Sequence, residues 1–111
     1  MNDSYYKPED LEKFSDIGQA APALAEKFFA WYTAVFEPGA LSAREKSLIA
    51  LAVSHALQCP YCIDAYSSDS LEKGADLEQI TEAIHVASAI RGGASLVHGV
   101  QAQNHVHKLT M

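Results

Sequence analysis

The sequence predicts an all-α fold, a single compact domain of about six helices over residues 1–111. Three observations predict it. Apolar residues recur at three- and four-residue spacing, and no stretch sustains the alternation of a strand. Proline and glycine sit at the edges of those periodic runs rather than inside strands. No repeat, low-complexity tract or linker divides the chain.

The elements follow in order. A short first helix starts near Pro8 and ends near Ile17-Gly18. Pro22 opens a second, with Leu24, Phe28, Trp31, Tyr32 and Val35 at helical spacing, and Pro38-Gly39 ends it. Phe28, Phe29, Trp31, Tyr32 and Phe36 cannot all face one small core. They are either packed beneath the other helices or form a subunit interface, where aromatic anchors are enriched. A third helix begins at Ser42-Ala43-Arg44-Glu45, where Ser42 and Glu45 can satisfy each other's orphan amides. It runs through Leu48, Leu51 and Ala52 toward Leu57. Pro60 restarts the chain, because a missing N–H costs nothing at the first helical position. Cys59 is then the N-cap of a fourth helix, Cys62 lies in its first turn, and Gly74 stops it. Asp76 caps a fifth helix with Leu77, Ile80, Ile84, Ala87 and Ile90 on one face. Gly92-Gly93 is expected to break the chain. A last helix carries Leu96, Val97 and Val100, and a polar tail follows.

Composition narrows the function classes. Hydrophobic residues make up 49% and charged residues 20%, an ordinary globular balance. A domain this short buries a modest core, which a partner subunit would enlarge. Net charge is −6, and the eight Lys and Arg form no basic stripe. Nucleic-acid binding needs clustered cations to release counterions, so none is expected. The longest near-apolar run, Leu48 to Leu57, is about ten residues, whereas a membrane span takes roughly twenty. The start, Met1-Asn2-Asp3-Ser4, has no basic segment with an apolar stretch behind it. No signal peptide is expected, and the location is read as cytoplasmic and reducing.

The two cysteines stand in the run Cys59-Pro60-Tyr61-Cys62. A disulfide stabilises mainly by closing a long loop in the unfolded chain, and this loop is too short for that. The spacing suits a reversible dithiol–disulfide couple instead. The reactive form of cysteine is the thiolate, which unpaired N–H groups at a helix N-terminus favour. Across one turn, one sulfur can attack a peroxide or disulfide and the other can resolve the product. By the dipole argument, Cys59 is the more acidic thiol. Two other uses fit the same pair: half of a zinc site completed by His55, His85, His98 or a neighbouring subunit, or two inert core cysteines.

The stretches Arg44 to Val53, Cys59 to Tyr66 and Lys73-Gly74-Ala75-Asp76 together resemble the carboxymuconolactone decarboxylase superfamily, and within it the AhpD-like alkylhydroperoxidases. A weaker resemblance is to the peroxidase-like group found alongside arsenosugar biosynthesis enzymes. The resemblance covers roughly Leu41 to Gly99. It implies an all-α fold, homo-oligomers from trimers to hexamers, and peroxide reduction through Cys-x-x-Cys. It also implies that Cys62 is the residue that attacks peroxide and Cys59 its resolving partner. Where the AhpD pattern has a Glu before the first cysteine and a His after the second, this chain has Ser47 and Tyr66. The family's proton relay is therefore absent as written. Glu45 lies about 200° around the helix from Ser47 and points away.

The candidate catalytic residues are Cys59, Cys62, His55 and Tyr66. His55 lies four residues before Cys59, on the inward face of its helix. There it either takes the thiol proton or pairs with a backbone carbonyl as a core histidine. Tyr66 lies one turn after Cys62 on the same face. It either holds a water or thiolate by its hydroxyl or fills an aromatic slot. Asp64, His85, His98, His105 and His107 are expected to be solvated or to pack at the surface. No cofactor and no metal is expected.

The expected function is a thiol-dependent hydroperoxide reductase or disulfide oxidoreductase. Its partners would be a peroxide substrate and a dithiol protein or small-thiol reductant. Two alternatives stand beside it. One is a lactone decarboxylase working by acid–base chemistry, against which only Arg44 and Arg91 are available to bind an anion. The other is a non-catalytic oligomer whose assembly is switched by the disulfide.

Overall fold

A computed structural model describes residues 6–111; the reading of Met1-Asn2-Asp3-Ser4 lies outside them. The described residues form a 3-10 helix, Pro8–Ala20, and five α-helices: α1 Pro22–Phe36, α2 Ala43–Leu57, α3 Pro60–Glu72, α4 Leu77–Val97 and α5 Gly99–Thr110. No strand occurs among them.

The local signals act where the sequence places them. Proline stands at the first position of the 3-10 helix, α1 and α3. Ser42 and Glu45 close a reciprocal capping box at the start of α2, at 3.0 and 2.8 Å. Asp76 and Gln79 do the same for α4. Gly74, at φ +91°, ends α3. Its N–H reaches the Leu71 carbonyl and that of Ala75 reaches Ser70, the paired bonds of a left-handed helix stop.

The core is small. Leu51, Ala75 and Ile80 are buried together, with Leu48, Tyr66 and Ile84 packed on them. α2 lies at the centre and packs on both α3 and α4. Serines lie at its contact with α3: Ser47 and Ser70 are fully buried and their hydroxyls meet at 3.2 Å. Small side chains let the two helices come close, and the hydroxyls satisfy one another there.

Two expectations are corrected. Gly92-Gly93 does not break the chain; α4 runs straight through it to Val97. A glycine in a helix costs about 1 kcal/mol against alanine, so it weakens a helix without ending it as a proline does. The residues after Val100 are not a polar tail either, because α5 continues to Thr110. Leu96 and Val97 consequently belong to the end of α4. The apolar stripe of α4 is covered only in its middle: Ile80, Ile84 and Ala87 are shielded, while Leu77 and Ile90 are exposed.

The described chain is elongated, 60 × 38 × 35 Å, with a radius of gyration of 19.0 Å. A compact chain of this length would give about 13 Å. Compactness is confined to the helices around α2, and α5 packs chiefly on the end of α4.

Candidate functional site

The turn before the cysteines sets their position. Gln58 ends α2 at φ +56°, a left-handed conformation, and the N–H groups of Gln58 and Cys59 return to His55 and Ser54. The chain reverses there and delivers Cys59 as the N-cap of α3. The Cys62 N–H donates to Cys59 Sγ at 3.3 Å. The two sulfurs are joined as a disulfide, with the Cα atoms 5.2 Å apart.

The disulfide opens on a cavity of about 600 Å³. Leu11, Phe14 and Ile17 of the 3-10 helix form one apolar wall, and Tyr61, Ala65 and Tyr66 of α3 form the other. Tyr32 of α1 closes the end. Asp10, Lys13 and Asp16 add charged groups, of which Lys13 and Asp10 pair at 3.1 Å. The 3-10 helix can sit this close to α1 because residue 18 is glycine: a methyl group there would collide with the Ala25 side chain.

Two contacts hold Tyr66. Its ring stacks on Phe36 at 5.3 Å, and its hydroxyl is hydrogen-bonded to that of Tyr32. Phe14, Phe29 and Tyr32 continue the aromatic contacts toward the N-terminal helix. Burial, the Tyr32 hydrogen bond and the charge of Asp69 push the Tyr66 phenol well above its ordinary pKa, so it stays protonated.

A second cavity of about 260 Å³ lies against the first. Tyr32 and Tyr66 line both, and Asp69 and Lys73 line only the second. Asp69 accepts from Lys73 Nζ at 2.5 Å and from Ser47 Oγ at 2.7 Å. Burial pushes the Asp69 carboxyl up, but the hydrogen bonds from Lys73 and Ser47 and the Lys73 charge outweigh it. The net shift is downward, so Asp69 is a carboxylate at neutral pH.

Of the four candidates from the sequence, the structure brings Cys59, Cys62 and Tyr66 to one cavity. His55 is half-buried and does not line that cavity; its Nδ1 pairs with the Leu51 carbonyl at 2.9 Å. Asp64, His85, His98, His105 and His107 are exposed, the last two on α5. Among the described residues no group of three or more His, Cys, Asp or Glu is gathered in a way that could hold a metal ion.

Sequence reasoning missed Tyr32 and Asp69. Asp69 had a signal: Cys62, Tyr66, Asp69 and Lys73 follow one another at four, three and four residues, which is one face of a helix. Tyr32 had none of that kind, because it meets Tyr66 across thirty-four residues of chain.

The model of the carboxymuconolactone decarboxylase family matches residues 22–104. The chain belongs to that family. Protein 4 of the cox locus of Paracoccus denitrificans, itself uncharacterised, is 39% identical over 86% of each chain. A solved family member from Legionella pneumophila is 30% identical, covers 86% of each chain, and superposes with a TM-score of 0.69. Another, from Thermotoga maritima, is described in connection with an antioxidative response. It is 27% identical over 91% of this chain and 86% of its own, again at 0.69. A Methanobacterium thermoautotrophicum structure scores 0.73 at 33% identity, over 76% of this chain and 94% of its own. In this carboxymuconolactone decarboxylase family member, Ser47 stands where the AhpD pattern has Glu. Ser47 donates to Asp69, so a carboxylate reaches that neighbourhood from α3 instead of α2.

Proposed function

We propose that the protein is a thiol-dependent hydroperoxide reductase of the AhpD-like type, working through Cys59 and Cys62. The observation that carries this reading is the disulfide across the first turn of α3, bordering an apolar cavity large enough for an organic substrate. In the reduced protein, the Cys62 thiolate attacks the outer peroxide oxygen. The O–O bond breaks, the alcohol leaves with one added proton, and Cys62 becomes a sulfenic acid. The Cys59 thiol then attacks that sulfur, forming the disulfide and releasing water. A dithiol protein or small thiol supplies two electrons and two protons to restore the pair. No cofactor enters the cycle.

Cys59 Sγ accepts the Cys62 N–H, which favours Cys59 as the sulfur released as thiolate when a reductant opens the disulfide. The T. maritima relative, described as 'possibly involved in antioxidative response', supports the same direction. Among the described residues no helix is long and apolar enough to cross a membrane; a cytoplasmic site of action is part of the proposal. The lactone decarboxylase alternative gains nothing from the arginines, since Arg91 is bonded to the Ala56 carbonyl and Arg44 is exposed.

The test is a thiol titration. Reduced protein mixed with one equivalent of an organic hydroperoxide is expected to lose two free thiols per chain and yield one equivalent of alcohol. An unchanged titre sinks the proposal.

A further inference from the structure

Cleaving a peroxide with a thiolate leaves an alkoxide unless a proton arrives as the O–O bond breaks. Neither Ser47 nor an exposed histidine reaches the cysteine cavity. Asp10, Lys13, Asp16 and Tyr61 line it, with Lys13 paired to Asp10, but the hydroxyls of Tyr32 and Tyr66 are the groups that also reach the second cavity, and their arrangement is specific. They are bonded to each other and together form the wall between the disulfide cavity and the Asp69–Lys73 cavity. Tyr66 follows Cys62 by one turn on the same face of α3, so its phenol and the sulfur look into the same space. On the other side, Asp69 is clamped between Lys73 and the fully buried Ser47.

We propose that the Tyr32–Tyr66 hydroxyl pair is the proton relay of this site: Tyr66 gives its proton to the oxygen leaving the peroxide at Cys62, and the pair is refilled from the Asp69–Lys73 side. The inference rests on the peroxidase reading and names the residues that complete it. Each turnover moves one proton. Tyr66 loses it to the departing alkoxide, regains through Tyr32 the proton that Cys62 released to solvent on becoming a thiolate, and ends neutral. Burial raises the Tyr66 phenol above its ordinary pKa, so it is protonated at rest and available to donate. Asp69 is a positioning residue. Its fixed negative charge near Tyr66 opposes a lasting phenolate and so favours reprotonation. Lys73 and Ser47 hold that charge in place.

The experiment compares two reactions of the same thiol in the reduced protein. One is oxidation by cumene hydroperoxide, whose leaving oxygen needs a proton. The other is alkylation by iodoacetamide, whose leaving iodide does not. The ratio of the two rates cancels any change in thiolate fraction. Tyr66→Phe is expected to lower that ratio about 100-fold. It should also abolish the solvent deuterium effect that the wild type shows with peroxide. Tyr32→Phe, a second and milder variant, is expected to move the ratio the same way. Asp69→Asn should lower kcat with KM unchanged, and Asp69→Glu should restore it. A ratio within twofold of wild type in both tyrosine variants overturns the relay and leaves the peroxidase reading intact. A wild type that alkylates but never consumes peroxide overturns both.

Discussion

Cys59 is the residue whose environment differs most from what an ordinary cysteine meets. As N-cap it takes the place that Ser, Thr, Asp or Asn usually fills, and its sulfur accepts the Cys62 N–H. In the reduced protein, that N–H and the other unpaired amides of the first turn favour the anionic sulfur. Cys62, at the third position of the helix, is not the cap and lacks this placement. The expected outcome is that Cys59 in Cys62→Ser alkylates faster at pH 7 than Cys62 in Cys59→Ser. Equal rates would remove the capping argument. Gln58 works at the same scale. It occupies a left-handed conformation that a side chain disfavours by about 1 kcal/mol. Gln58→Gly is expected to raise the urea midpoint by a comparable stability. A loss would mean that the Gln58 side chain contributes contacts that outweigh the strain.

The α2–α3 pair carries the site at the scale of elements. Its interface holds Ser47, Ser70 and Asp69, a polar seam satisfied from within. Asp69→Ala removes an acceptor from a fully buried hydroxyl and leaves Ser47 with Ser70 alone. The expected cost is about 1–2 kcal/mol. The folded-state pKa of Asp69 is depressed, so its contribution is complete above the unfolded carboxylate value, near 3.9, and is lost as pH falls through the folded value. The difference in urea midpoint between wild type and Asp69→Ala should therefore be constant from pH 7 to 5 and shrink below about pH 4. A difference that grows on acidification would contradict the assigned ionisation. α1 is attached by a different device: the Lys46 ammonium donates to the Val35 and Glu37 carbonyls at its C-terminal end, at 2.8 and 2.5 Å.

At the scale of the whole molecule, the described residues leave many large apolar side chains uncovered. α1 has two apolar faces. Phe29, Tyr32 and Phe36 turn toward the chain, while Leu24, Phe28, Trp31 and Val35 are exposed, Trp31 at 65%. Leu96, Val97 and Leu109 are exposed along the projecting α4–α5 arm. Of the two readings of the α1 aromatics, full burial beneath the other helices of one chain is not met. The homo-oligomer that the family resemblance implies would cover these faces. The protein is expected to sediment well above the 12.0 kDa of one chain. Trp31→Glu is expected to shift it toward the monomer. A wild type that sediments as a monomer would refute the assembly.

The all-α class, the helices up to the start of α4, the caps and the dithiol turn were legible in the sequence, whereas the extent of α4 and α5 was not. The reason is that these features are set by groups one to four residues apart: Ser42 with Glu45, Asp76 with Gln79, Cys59 with Cys62. Even the Gly92-Gly93 misreading was a local error, a weakening taken for a stop. The tertiary structure alone decided which hydroxyl meets Tyr66, that Ser47 works through Asp69, and that the 3-10 helix walls the cavity of the sulfurs. Those contacts join positions twenty-two or more residues apart, and no periodicity encodes a distance between helices. They exist because small residues let α2 and α3 close on each other, and because a ladder of aromatic rings fixes α1 against them.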